Sequence, residues 1–281
     1  MRPIEMLICS GGLKYPENYG EINVWMKERY AIDSVIAQWQ WENVRKYLEY
    51  YDVKIKEIQS QKEFPDMIFT RNAGLVLPGE PPRVILSSFK HKERQGEKAL
   101  YREWFEKNGF EVIVLPMGVT FEGGGEAIFW RNTLFFGHGF RAPIDTLKHL
   151  QYAFGEARIE ADVIPLKLVD ERFYHLDTAF MPILGDGLDT KDVLVYYPGA
   201  FDEESLTVIS ALPIECIAVT EQDACAFGCN LLAFGNNIIM AKGTVHLAYA
   251  LKKRGFRVGE LKMDEIKKGG GSVYCMTLNL S

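Results

Sequence analysis

The sequence predicts an α/β fold built by radial repetition, five units of a helix and three short strands set around a common axis. Three observations predict it. A stretch with helical period, a β-rich run, a loop holding acidic or amide residues and a pair of short apolar strands recur in that order about every fifty residues. The last unit is short of a partner strand, which the N-terminal run 5–10 can supply, closing the ring and removing exposed sheet edges. No Pro/Gly/Ser linker or shift in composition interrupts the chain, so one domain, residues 1–281, is expected.

The first helix is placed at 31–50, where Val35, Ile36, Trp39, Val44 and Leu48 fall at helical spacing. A strand at 53–58 follows, then strands at 73–77 and 83–86 joined by a Pro/Gly turn. The second helix, 99–107, leads to a strand at 111–115, the loop Phe121-Glu122-Gly123-Gly124-Gly125-Glu126, and strands at 127–130 and 133–136. The third, 144–154, leads to 162–168, His175-Leu176-Asp177-Thr178, and strands at 179–184 and 192–197. The fourth, 203–212, leads to 215–219, the loop Glu221-Gln222-Asp223, and strands at 231–234 and 237–240. The fifth, 245–253, leads to 256–261, a glycine turn at 269–271 and a strand at 273–280 that carries Cys275.

Composition narrows the function classes. The chain is 47% hydrophobic and 25% charged, ordinary for a globular protein, and no run approaches the roughly 18 apolar residues of a membrane span. Residues 1–5 lack the apolar core of a signal peptide. A net charge of −6 argues against nucleic acid as partner and suits a small cation. Five scattered cysteines do not form a disulfide framework, which places the protein in a reducing cytoplasm. Cys225 and Cys229 have no second Cys/His pair to complete a zinc site, and the five histidines are dispersed, so neither metal nor cofactor is expected.

The units matter because their unusual residues occupy one place in each. Asp66 and Asn72, Glu122, His175 with Asp177, Asp223 and Cys275 all fall between a first strand and the strand pair after it. Radial repetition carries such positions to the axis and makes them one constellation. Several acids in one enclosed site repel unless a cation neutralises them. A guanidinium fits, since its planar fork of N–H donors matches carboxylates. Its central carbon, held in place, is open to a thiolate from Cys275, with His175 as acid to departing ammonia and base to water.

Asp66-Met67-Ile68-Phe69-Thr70-Arg71-Asn72, Phe121-Glu122-Gly123-Gly124-Gly125-Glu126, His175-Leu176-Asp177-Thr178 and Gly269-Gly270-Gly271-Ser272-Val273-Tyr274-Cys275 resemble the signatures of the guanidine-modifying superfamily. Its members are arginine deiminases, dimethylarginine dimethylaminohydrolases, amidinotransferases and arginine dihydrolases. The resemblance spans the chain and implies a five-bladed α/β propeller with its active site on the axis. It implies Cys275 as nucleophile, His175 as acid/base, and Glu122 and Asp177 as guanidinium ligands, with Asp66 as a further substrate contact.

Glu21-Ile22-Asn23-Val24-Trp25-Met26, Gln38-Trp39 and Glu93-Arg94-Gln95-Gly96-Glu97 are similar to the arginine dihydrolase branch, with Asn23 carried over as a substrate contact. Asn72 points the same way, because deiminases and dimethylarginine hydrolases usually hold the guanidinium with an aspartate there. An amide both donates and accepts, so it can hold a ureido intermediate for a second attack. For the arginine clamp on the substrate α-carboxylate, Arg141 matches one position, and Lys90 or Arg94 takes the other. The substrate is therefore expected to be arginine or a related guanidino compound, with agmatine open. Oligomeric state is open as well. The competing readings are a deiminase giving citrulline, a dimethylarginine hydrolase, an amidinotransferase, and a thiol-less binding protein of the same architecture such as the ribosome anti-association factor.

Overall fold

The computed structural model describes residues 4–280; residues 1–3 and 281, the two ends of the expected domain, lie outside the described residues. Five longer helices form along apolar stripes, and an aspartate caps two of them. In α1 (Ser34–Tyr50) the Asp33 carboxylate accepts from the Val35 and Ile36 N–H groups, which have no partner inside the helix. The buried face of α1 is Ala37, Gln40, Trp41, Val44 and Leu48, whereas Val35, Ile36 and Trp39 are exposed. Apolar residues lie on both sides of this helix, and only the set at 37, 41, 44 and 48 meets the sheets. The others are α2 (Glu97–Lys107), α3 (Thr146–Ala157), α4 (Glu203–Ser210), capped by Asp202, and α5 (Val245–Lys252). No helix among the described residues is long and apolar enough to cross a membrane.

Among the described residues the strands form five three-stranded sheets. One contains β1 (Glu5–Cys9), β2 (Lys54–Ile58) and β15 (Leu278–Asn279); the next β3 (Gly74–Leu77), β4 (Arg83–Leu86) and β5 (Glu111–Val114). The others are β6 (Ala127–Trp130), β7 (Thr133–His138) and β8 (Asp162–Lys167); β9 (Phe180–Ile183), β10 (Val193–Tyr196) and β11 (Glu215–Ala218); β12 (Leu232–Phe234), β13 (Asn237–Ala241) and β14 (Arg257–Leu261). In every sheet an antiparallel pair is followed, across one of the five helices, by a parallel third strand: Leu75 faces Ile85, for instance, and Ile85 faces Ile113. The remaining sheet obeys the same rule across the chain ends, with β15 antiparallel to β1 and β1 parallel to β2. The sheet-forming unit is thus pair, helix, strand. The loop between a first strand and the following pair joins two sheets instead of lying within one. Five such sheets fit a propeller-like arrangement with pseudo-five-fold repetition.

The five segments entering the strand pairs repeat in position and bond to one another. Asn72, Gly125, Thr178, Asn230 and Met276 each stand two residues before a pair's first strand, at Gly74, Ala127, Phe180, Leu232 and Leu278. In four of them that residue's N–H donates to the carbonyl three residues back, as Asn72 does to Phe69 and Asn230 to Phe227. Asn72 Nδ2 reaches the Glu122 carbonyl at 3.2 Å, and His175 pairs with the Glu122 side chain. Asn230 Nδ2 bonds the Asp177 carbonyl at 3.1 Å, and Asn230 Oδ1 accepts from the Tyr274 and Cys275 N–H groups. The fifth segment returns to the first: the Arg71 N–H donates to the Cys275 carbonyl at 2.9 Å, and the Thr70 hydroxyl to Met276. Each segment therefore bonds the next, and the last bonds the first.

This geometry corrects the expected strand at 273–280. Only Leu278–Asn279 pairs, and Cys275 lies on the turn before it, because residues committed to the ring cannot also join a ladder. Glu221-Gln222-Asp223, expected as loop, opens a short helix, Glu221–Cys225. Close approach of the first two segments requires glycine. Gly123 has φ +59°, and a Cβ there would lie 2.6 Å from the Gly74 carbonyl oxygen. Gly118 also has positive φ, +88°, but open space around it.

Gly123→Ala is expected to destabilise the fold by at least about 2 kcal/mol in urea unfolding, from left-handed strain plus backbone collision. Gly118→Ala, with the strain alone, should cost about 1 kcal/mol. Equal losses at the two positions would show that the ring tolerates the added carbon.

Candidate active site

The ring segments enclose a small cavity, with room for about one water molecule as the side chains stand. Cys275, His175, Asn72, Asp66, Arg94 and Arg141 line it, together with Ile22, Asn23, Tyr174 and Gly269–Gly270. Residues from distant parts of the chain meet here because their loops all enter the ring.

Cys275 is buried between a donor and an acceptor. Asn230 Nδ2 donates to Sγ at 3.0 Å, and the thiol donates to Asp177 Oδ2 at 3.3 Å. Burial first, then the Asp177 charge, push the thiol well above its ordinary range. Burial likewise lifts Asp177 to about 7, although the Arg71 cation and bonds from Cys275 and Asn230 oppose it. Asp177 Oδ1 has no hydrogen-bond partner in the structure.

His175 Nε2 lies 2.9 Å from Glu122 Oε2. Burial disfavours charge on Glu122, but Arg141, which donates to its two oxygens at 3.2 and 3.0 Å, and His175 hold this carboxyl well below the usual range. Burial lowers His175 to about 4 against the pull of Glu122, so at neutral pH the imidazole is neutral and its Nε2–H donates to an ionised Glu122. Glu126, equally buried, accepts from the Glu122 N–H and is pushed well above the carboxylate range by burial and the Glu122 charge.

The Asn72 amide is fixed in orientation by its partners. Arg94 can only donate, so it faces Oδ1, at 2.9 Å, and the Glu122 carbonyl can only accept, so it faces Nδ2. Arg94 is clamped by Glu97 with two bonds of 2.8 Å and also donates to the Asp66 carbonyl. The Asp66 carboxylate accepts from the hydroxyls of Tyr15 and, at 2.8 Å, Tyr19. Burial raises Asp66 even so, with Arg94 and both tyrosines opposing.

The structure thus brings Cys275, His175, Glu122, Asp177, Asn72, Asp66, Arg94 and Arg141 together. Lys90 stands outside: its side chain is exposed and its Nζ donates to the Phe140 carbonyl, leaving Arg94 as the second arginine beside Arg141. Asn23 lines the cavity but spends its side chain on the Trp25 N–H and the Gly269 carbonyl. Asp223 does not reach the site, because its carboxylate accepts the Leu247 N–H at the start of α5. The fourth segment contributes Asn230 instead, which the sequence reading passed over. Asn230 stands one residue before the expected strand at 231–234, as Asn72 does before 73–77, and that shared place is the signal that could have found it. Tyr15 and Tyr19 have no periodic signal to mark them, and Glu97 stands in the motif at 93–97 with no role of its own assigned. Among the described residues, no group of three or more His, Cys, Asp or Glu is placed to hold a metal ion.

A family model for eukaryotic N,N dimethylarginine dimethylhydrolases matches residues 19–281. The bifunctional arginine dihydrolase/ornithine cyclodeaminase of Nostoc sp. is 38% identical over 99% of this chain, and the chain spans 38% of that relative's length. The dimethylarginine dimethylaminohydrolase of Mycobacterium tuberculosis is 32% identical, matching 92% of this chain and 80% of its own. The crystal structure of the N-terminal domain of ArgZ with product, a cyanobacterial arginine dihydrolase, superposes with TM-score 0.87 and 38% identity, over 99% of this chain and 98% of that one.

Asp177→Asn tests the electrostatic cost of this arrangement. A carboxyl raised from 3.8 to about 7 on folding keeps its proton longer in the folded state, so wild-type stability is lost as pH rises from about 4 through 7. The amide should remove that loss. The variant is expected to be more stable than wild type at pH 8, on the order of 2 kcal/mol, with the difference closing near pH 4. Denaturant melts at the two pH values read it; a variant less stable at pH 8 would refute the assignment.

Proposed function

The chain belongs to the guanidine-modifying superfamily of dimethylarginine and arginine hydrolases, and from that premise we propose that it is a Cys275-dependent arginine dihydrolase. It would convert arginine and two waters into ornithine, carbon dioxide and two ammonia. The observation that carries this reading is that the Cys275 thiol faces the same cavity as His175 and Asn72, an amide at the position where an acid would favour only the cation.

On this reading the five sheets are blades of a five-bladed α/β propeller, residues 1–281 form one catalytic domain in the cytoplasm, and the site lies on the propeller axis. Arg94 and Arg141 clamp the α-carboxylate and Asp66 receives the α-ammonium. The guanidinium sits against Glu122 and Asp177. In the structure Arg141 occupies both Glu122 oxygens, so a substrate guanidinium would take them as Arg141 turns to the α-carboxylate.

The arriving cation offsets the burial and the Asp177 charge that hold the proton on sulfur. The thiol proton passes to His175, the thiolate attacks the central carbon, and His175 returns the proton to the departing ammonia. The covalent S-alkylthiouronium is then attacked by water, with His175 taking the water's proton, and the carbon–sulfur bond breaks to leave a ureido group and the free thiol. Asn72 supplies an N–H to the ureido oxygen, which an ionised aspartate could not. A second attack expels the second ammonia. Hydrolysis of that thioester-like adduct gives a carbamate, which loses carbon dioxide to yield ornithine.

The matched family and the Mycobacterium relative favour a second reading, hydrolysis of dimethylarginine to citrulline with one amine released. One incubation separates the two. Arginine should give two ammonia per molecule, with ornithine and little citrulline. Asn72→Asp should move that ratio toward one with citrulline accumulating, and Cys275→Ala should lower kcat by at least about 10⁴-fold. Citrulline from wild type at a ratio near one, or turnover of dimethylarginine in preference to arginine, would overturn the dihydrolase reading.

A further inference from the structure

We propose that Asn230 is a catalytic residue of this site, the side-chain donor that stabilises the Cys275 thiolate each time it forms and each time it leaves. The role rests on Cys275 being the nucleophile. Asn230 is fully buried, and all four hydrogen-bonding positions of its carboxamide are used. Its orientation follows from its partners. The backbone N–H groups of Tyr274 and Cys275, both at 3.1 Å, can only donate, so the atom facing them is Oδ1. Nδ2 therefore faces the Asp177 carbonyl, an acceptor only, and Cys275 Sγ. Turning the amide over would set donors against donors on one side and acceptor against acceptor on the other. The donor is thus locked onto sulfur before any charge develops, which is what makes a fixed dipole effective in catalysis.

The charged and titratable groups around this sulfur make such a donor necessary. Asp177 approaches Sγ with a carboxylate oxygen, which favours the thiol over the thiolate. His175 and Tyr174 stand on the same cavity, and Tyr274 lies under the Arg71 guanidinium, 4.2 Å from its ring centre. Arg71 turns its Nε toward the Gly124 carbonyl at 3.2 Å rather than toward sulfur. Asn230, with the backbone of Ser272 as a second donor, is what the protein itself offers a thiolate. Asn230 also occupies the same place in its segment as Asn72 does in the first, two residues before a strand pair. The two amides serve opposite partners on the proposed reading: Asn72 the carbon being attacked, Asn230 the sulfur attacking it. Because a dihydrolase expels the thiolate twice per turnover, a donor that improves the leaving group acts at four points in the cycle.

The test compares wild type, Asn230→Asp and Asn230→Ala. It reads the pH dependence of Cys275 alkylation by iodoacetamide, located by peptide mass, with kcat, KM for arginine and melting temperature. Asn230→Asp keeps the acceptor for Tyr274 and Cys275 but sets an acceptor against the Asp177 carbonyl, so it should fold with a lower melting temperature than wild type. Its alkylation midpoint should rise by at least about one pH unit and kcat fall about 10²-fold, with KM changed far less. Asn230→Ala, which adds no charge, should raise the midpoint as well, with a lower melting temperature. A wild-type midpoint in Asn230→Ala, or wild-type kcat in Asn230→Asp, would mean that the residue only anchors the loop. Failure of arginine to protect wild-type Cys275 from alkylation would instead overturn the nucleophile reading and this role with it.

Discussion

The hydrogen-bonded succession of five segments before the strand pairs is the constraint on which the rest of the structure depends. Each sheet is small and could not hold a site by itself. What places Cys275 beside His175, a hundred residues earlier, is that both stand on segments whose backbones are tied to their neighbours, Cys275 through Asn230 and Arg71, His175 through Glu122. Local requirements follow. Gly123, Gly124 and Gly125 carry no side chain because the first segment presses on them, and a Cβ on Gly124 would meet the Arg71 side chain at 2.3 Å. The apolar clusters outside the ring keep the sheets in place, but the ring decides which polar atoms meet.

That arrangement concentrates buried charge, and the pairings show how the cost is contained. Glu122 is ionised because Arg141 and His175 face it, and Arg94 is held by Glu97. Glu126 and Asp177 have no such cation in contact and are lifted by burial toward the protonated form. A site with two clamped arginines and several reluctant acids favours a ligand that brings a cation to the acids and an anion to the arginines. An amino acid with a guanidinium end has both.

Much of this was legible in the sequence because each element is short and strongly patterned. The five helices and nearly all strands lie within a few residues of where period and turn chemistry put them, and β1 joins the last sheet as closure of a ring requires. The errors have physical causes. Cys275 was put on a strand because Val273-Tyr274-Cys275 has β-forming composition, yet ring bonds take those backbone groups. Val35, Ile36 and Trp39 share the helical spacing yet stand exposed, because spacing alone does not choose between two apolar faces. Asp223 falls in the repeated loop of the sequence, but its carboxylate caps a helix, and Asn230 is what that unit brings to the site. Lys90 and Arg94 could not be separated in sequence; the Glu97 partner, three residues on, is what turns Arg94 inward.

The two asparagines carry the argument furthest. A carboxylate at either place would add a negative charge to a site where Asp66, Glu122 and Asp177 already meet, and would offer only acceptors. At Asn72 that would suit a cation and reject the neutral ureido product, so the reaction would stop when the cation was consumed. At Asn230 it would confront sulfur with a second acceptor and hold the proton on the thiol. In each amide Nδ2 gives one hydrogen to the carbonyl of a neighbouring segment and keeps the other as a donor, toward substrate on the proposed reading at Asn72 and toward sulfur at Asn230. Repetition makes this economical: the same backbone position, tied by the same turn, presents the same functional group from two segments to the two atoms between which the bond forms. On the proposed reading, a thiol that must attack a poor electrophile after a good one depends on both donors at once.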